Sequence, residues 1–147
     1  MTQMRPQVMT ARRYRSDSPG LRRTVVVLEV LTAVGAVLGG TAMIRNPLTP
    51  LGTTTDLISG SPFATYTWPG VLLLLLNGVV PTVLAIGLAS RVRGAMVLSA
   101  AWGFGLMAWI AVQWLLLTDV LWLQFVLFAV GAVVAACAVV AVRRGVR

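Results

Sequence analysis

The sequence predicts an all-α membrane protein: a transmembrane four-helix up-down bundle with a short outer loop cap. Three observations predict it. Of 147 residues, 58% are hydrophobic and only 11% charged, with a mean hydropathy of +0.88, whereas soluble domains run at roughly 45–50% and about 25%. The apolar residues gather into four blocks, each long enough to cross a hydrocarbon core of roughly 30 Å. Arginines flank those blocks. No stretch alternates apolar and polar residues with period two, which excludes a β-barrel.

Residues 1–23 carry Arg5, Arg12, Arg13, Arg15, Arg22 and Arg23 among proline, serine and glutamine. Such a stretch lacks the apolar area that offsets the entropy of folding, and it reads as a disordered basic cytoplasmic tail. Residues 24–44 form the first span, long enough to cross at 1.5 Å per residue. The run is too long for a signal peptide's usual apolar stretch of about 7–15 residues, and Gly40-Thr41-Ala42 is only a weak cleavage site, so the helix is retained. Residues 45–69 are the one substantial loop, with four prolines and several Gly, Ser and Thr that break any long helix. The second span is placed at 70–90, with Pro69 suited to a helix start. Arg91-Val92-Arg93-Gly94 makes a tight basic turn, the third span covers 95–117, and Thr118-Asp119 is a second tight turn. The fourth span covers 120–142, and residues 143–147 close the chain as a basic cytoplasmic tail. The 24–142 segment is thus a single four-span membrane domain.

Arginine placement sets the orientation. With the N-terminus in the cytoplasm, six arginines precede the first span, two lie between spans 2 and 3, and three follow span 4. Eleven of the twelve are then inside and only Arg45 is outside. That bias follows the positive-inside rule at every loop. Both termini are therefore expected in the cytoplasm, in a bacterial plasma (inner) membrane, since all-arginine basic content points to a GC-rich genome. The formal charge of +8 is accounted for by topology, so nucleic acid is not an expected partner. The bilayer is, with anionic lipid at the N-terminal arginines as a further possibility.

Helices in lipid associate through close packing of small residues. Span 1 offers Gly35 and Gly39 with Ala36 and Gly40, span 3 Ser99 and Gly103 with Ala101 and Gly105, span 4 Gly131 and Ala135 with Ala132 and Ala136. These pairs serve either packing within one bundle or a homodimer or partner face. Tyr66, Trp68, Trp114 and Trp122 fall at the outer boundary and read as an interfacial aromatic belt. Trp102 and Trp109 do not. They share a helical stripe with Gly105, Leu106 and Gln113 and are expected to face neighbouring helices.

The polar residues inside the spans are the candidate site. Glu29 is the one ionisable residue well within an apolar block, on a stripe of Val25, Thr32, Ala33, Ala36 and Gly40 that faces the bundle. It either pairs with Arg91, Arg93 or Arg143 or stays a neutral acid, or else it serves as the proton or cation site of a small transporter. Asn77 and Pro81 lie four apart, so proline frees the Asn77 carbonyl from its helical partner. With Trp109, Gln113 and Gln124 these residues line either a polar outer cavity closed by the loop or an ordinary proline kink satisfied by its neighbours.

Absences narrow the chemistry. The chain has no histidine, no lysine and one cysteine, Cys137, while its acids Asp17, Glu29, Asp56 and Asp119 lie far apart. Cys/His zinc sites, catalytic triads, Schiff-base lysines and internal disulfides are excluded. No nucleophile–base pair is in view, so an enzyme is not expected, and no cofactor is implied.

The segment Ser61-Pro62-Phe63, Tyr66 and Pro69-Gly70, followed by an apolar run to Asn77-Gly78, recurs with Trp109-Ile110, Val112-Gln113 and Leu123-Gln124 in a recognisable order. Together these motifs, over about residues 25–130, resemble a group of small four-span bacterial membrane proteins of no established activity. The resemblance implies a structured loop whose Ser61-Pro62 turn, Phe63 and Tyr66 lie across the outer mouth. The size and the first-span glutamate also resemble small multidrug-resistance exporters, which act as dimers. The 25-residue loop and the strong arginine bias depart from that pattern. The leading expectation is a non-enzymatic accessory or structural subunit. The alternatives are a proton-coupled transporter of amphiphilic compounds using Glu29, and a regulatory protein gripping anionic lipid through its arginines.

Overall fold

A computed structural model describes residues 19–117 and 119–144. The first eighteen residues of the expected tail, Thr118 of the second tight turn and residues 145–147 lie outside them. The described chain is a four-helix bundle: α1 (Pro19–Arg45), α2 (Thr67–Ala89), α3 (Ala95–Leu116) and α4 (Trp122–Arg143). All four helices are long and apolar enough to cross a membrane, the architecture of a multi-pass membrane protein. Short connections after α2 and α3 force antiparallel neighbours.

Every helix boundary except the start of α3 differs from the sequence reading, and three of the shifts change what a residue does. Helix α1 begins at Pro19, so residues 19–23, read as tail, are its first turn. Proline fits a first turn, where the missing N–H has no partner to lose. Helix α2 begins at Thr67, which places Pro69 inside its first turn. Arg143 completes α4 rather than opening a tail.

The bundle is two close pairs. In the first, α1 crosses α2 at Gly40 and Gly70. A Cβ on either glycine would stand 2.9 Å from the other's carbonyl oxygen. In the second, α3 crosses α4 at Gly103 and Gly131, where a Cβ would meet the opposing oxygen at 2.8 and 2.9 Å. Without a hydrophobic drive between helices in lipid, such backbone approach supplies the van der Waals contact that holds pairs together. Gly70 was not among the small-residue pairs read from the sequence. Gly35 and Gly105, which were, face open space.

The two pairs pack most closely at one end. Val25, Leu88, Ala95, Met96, Ala100, Val134, Ala138 and Ala141 form one buried cluster near the Arg91–Gly94 turn and the α4 C-terminus. That turn closes with the Val92 N–H on the Gly87 oxygen at 2.8 Å and the Arg91 N–H on that of Leu88 at 3.2 Å. Toward the other end, α2 and α3 separate, and their first and last turns respectively share almost no backbone contact. The 46–66 loop fills that opening. It carries two short 3₁₀ turns, Pro50–Gly52 and Thr55–Ile58, and its Pro50 and Ile58 are buried. The buried Tyr66 anchors it, donating its hydroxyl to the Thr54 carbonyl at 2.8 Å and its N–H to Pro47 at 2.9 Å. Gly60 lies so close to the end of α3 that a Cβ would meet the Leu116 oxygen at 2.7 Å.

Candidate functional site

The sequence grouped Glu29, Asn77, Pro81, Trp109, Gln113 and Gln124 as one intramembrane polar site. The structure distributes them over three places.

Glu29 lies at the closed end. Its stripe is buried as expected, with Val25, Thr32, Ala33, Ala36 and Gly40 turned inward. The side chain is wholly buried, and among the described residues neither carboxyl oxygen has a hydrogen-bond partner. The fully buried Ser99 hydroxyl of α3 interacts with it from across the bundle, without a well-formed hydrogen bond to it or to any other described group. Thr32 is occupied, donating to the Leu28 carbonyl at 2.8 Å. The expected arginine partners do not come: Arg91, Arg93 and Arg143 are exposed at the helix ends. A guanidinium there reaches headgroup water more cheaply than it enters an apolar core. Ser99 escaped the sequence reading as a partner because it registered only as a small packing residue.

Asn77 and Pro81 lie midway along α2, and both are buried. Proline was expected to free the Asn77 carbonyl. The helix instead widens into a π turn over Leu74–Val79, with the Val80 N–H on the Leu75 oxygen, five residues back. In that register the next acceptor is the Leu76 carbonyl, and its donor would be the N–H that Pro81 lacks. Trp102 of α3 supplies the replacement, its indole Nε1–H donating to the Leu76 oxygen at 3.0 Å. One tryptophan thus answers one proline. A cavity of about 380 Å³ lies alongside, between α2 and α3, lined by Leu76, Asn77, Val80, Trp102, Gly105 and Trp109 among others.

Trp109, Gln113 and Gln124 line a second cavity of about 220 Å³ beneath the loop. Ser61, Phe63, Tyr66 and Pro69 of the loop cap line it too, while Pro62 and Gly70 do not. Of the two alternatives read from the sequence, the polar outer cavity does not match this chamber's walls. Met43, Leu57, Ile58, Leu73 and Leu116 dominate its wall. Most of its polar groups are spent on local structure. Thr53 donates to the Pro50 oxygen at 2.7 Å and Ser61 to that of Ile58 at 2.8 Å. The Gln124 side-chain oxygen accepts the Leu121 N–H at 3.2 Å, capping α4.

The aromatic belt divides as well. Trp68 and Trp122 project outward, 65% and 74% exposed. Trp114 instead stacks on Phe128 at 5.3 Å and meets Phe125 at 5.5 Å, joining α3 to the start of α4. Tyr66 serves the loop anchor described above.

No protein-family model, curated protein or solved structure matches the chain.

Proposed function

We propose that this chain is a non-enzymatic subunit of a bacterial plasma membrane, with both termini in the cytoplasm, acting as an accessory or structural component. The observation that carries this reading is the bundle's outer surface. Leu31, Leu38, Val83, Leu98, Leu115 and Phe125 stand exposed on all four helices, so the molecule offers lipid and neighbouring spans an apolar face. Eleven arginines on one side support the orientation. Anionic headgroups there would attract each arginine by about 1 kcal/mol. The test is affinity purification from native membranes in mild detergent, together with reporters fused to the C-terminus. A stoichiometric membrane partner and a cytoplasmic C-terminus are the expected results. A periplasmic C-terminus would overturn the orientation, and a chain isolated without partners would overturn the subunit role.

A second reading, a small proton-coupled transporter of amphiphilic compounds, is favoured by one feature. Glu29 and Ser99 are buried polar groups whose side-chain oxygens have no well-formed hydrogen bond among the described residues, and ionisable residues in spans commonly mark proton relays. Here the expected result is substrate-dependent proton release that disappears in Glu29→Gln. Release that persists in that variant excludes Glu29 as the proton site.

A further inference from the structure

We propose that the opening between α2 and α3, together with the chamber beneath the loop, forms a single binding site for one phospholipid acyl chain. Its "outer" location rests on the orientation above; its existence does not.

The two cavities adjoin along α3. Both are lined by Trp109 and Val112. The lower one reaches Trp102, and the upper one reaches Gln113 and the loop. From Trp102 to Gln113 is eleven residues, about 16 Å at the helical rise. Half of a 30 Å hydrocarbon core is about 15 Å. The groove therefore has the depth of one leaflet, the reach of a lipid tail lying parallel to the helices.

Its chemistry suits a tail. Among the described residues no charged side chain lines either cavity, and the walls are almost entirely carbon. Water would lack the two to four polar partners that hold it in a buried space. The chamber alone, at about 220 Å³, exceeds an apolar cavity of about 150 Å³ that accommodates benzene. Entry is lateral: Gly105 and Ala108 in the lower wall are exposed, and a Cβ on Gly105 would meet nothing within 4 Å. At the upper end the groove closes under Phe63 and Leu57, with the Gln113 amide placed where the tail meets its ester linkages. A transmembrane helix would not fit beneath that loop, because its diameter of about 10 Å demands a groove open at both ends. The loop selects a flexible single chain.

The test compares wild type with Gly105→Leu, purified in mild detergent, washed free of loosely held lipid and weighed intact by native mass spectrometry. The leucine enters open space on a helix surface and improves helix propensity, so the thermal midpoint is expected to hold. Wild type should retain one phospholipid per chain, and occupancy in the variant should fall about tenfold, the equivalent of two lost methylene contacts. Re-adding phosphatidylcholine from vesicles should restore the adduct in wild type alone. Equal retention in both proteins, or none in wild type, would overturn the proposal. So would efficient dimer cross-linking through Ala108→Cys in a Cys137→Ala background, which would put a second chain in the groove. A reporter placing the C-terminus outside would reverse the leaflet and leave these outcomes unchanged.

Discussion

The two ends of this bundle solve the same packing problem with different materials. At the arginine end, all four helices meet through small residues. Ala95, Ala100, Ala138 and Ala141 let backbones approach until Val25, Val134 and Ser99 are sealed from any surface. At the loop end, Gly40 and Gly70 still join α1 to α2, but between the two pairs stand Met43, Leu73, Trp109, Leu116 and Leu127, and the space there is a chamber closed by a loop. Small side chains bring helices together, while bulky ones hold them apart and leave gaps whose shape a ligand or loop must complete. The lesson is that a span's apolar content says that it enters the membrane. The size of its apolar residues says whether it closes or stays open there.

The strongest challenge to that contrast uses two glycines two residues apart on α3. Gly103 touches the α4 backbone, with the Ala135 nitrogen 2.9 Å from where a Cβ would stand. Gly103→Leu must push the pair apart, and overpacking costs about 1–3 kcal/mol even where only side chains yield. Here backbone must yield, so a loss of more than about 3 kcal/mol is expected, read as a collapse of the thermal midpoint in detergent. Gly105→Leu, facing the opening, should leave that midpoint unchanged. Equal effects at both positions would end the distinction.

Glu29 sharpens it from inside the closed end. A buried polar atom without a partner costs about 1–3 kcal/mol, and both carboxyl oxygens are in that condition. Glu29→Met keeps the side-chain length and removes the unsatisfied atoms, so stability should rise by about 1–3 kcal/mol. A gain in thermal midpoint combined with loss of biological activity would mark Glu29 as a group retained for function at a cost to packing. A lower midpoint would mean that the carboxyl has a partner contributing to the fold.

Much of this frame was legible beforehand. Four blocks of apolar residues specify the helix number and the up-down order, because membrane insertion reads composition over twenty residues and tolerates errors in detail. The buried stripe of α1 followed from helical periodicity alone. What periodicity does not carry is contact between helices. That Arg91, Arg93 and Arg143 stay exposed while the glutamate meets Ser99 depends on how α1 and α3 stand across the bundle, and no local pattern encodes that. The same holds for Gly70, whose neighbour Pro69 marked a helix start while its packing role waited on α1. Gln113 and Gln124 drew attention as polar residues in apolar spans, yet Gln124 turned out to be a helix cap, a role visible only once α4 was known to begin at Trp122.

The smallest effect tests the middle of the bundle, where closed and open halves join. The π turn leaves the Leu76 carbonyl without a main-chain donor, and Trp102 answers it from α3. Trp102→Phe keeps the ring and removes the donor. Interhelical hydrogen bonds within membranes average about 0.6 kcal/mol, so the loss should be close to that figure, a shift of a few degrees in thermal midpoint at most. Pro81→Ala returns the missing N–H to α2 and allows the π turn to relax toward regular helix, in which Leu76 pairs with Val80. In that background the Trp102 substitution should cost almost nothing. The double-mutant cycle therefore separates two accounts of Trp102. A coupling energy near the single-mutant cost says that the indole exists to satisfy what proline leaves open. Additive effects say that the tryptophan is held by ring packing alone, and that the groove wall it forms is independent of the π turn beside it.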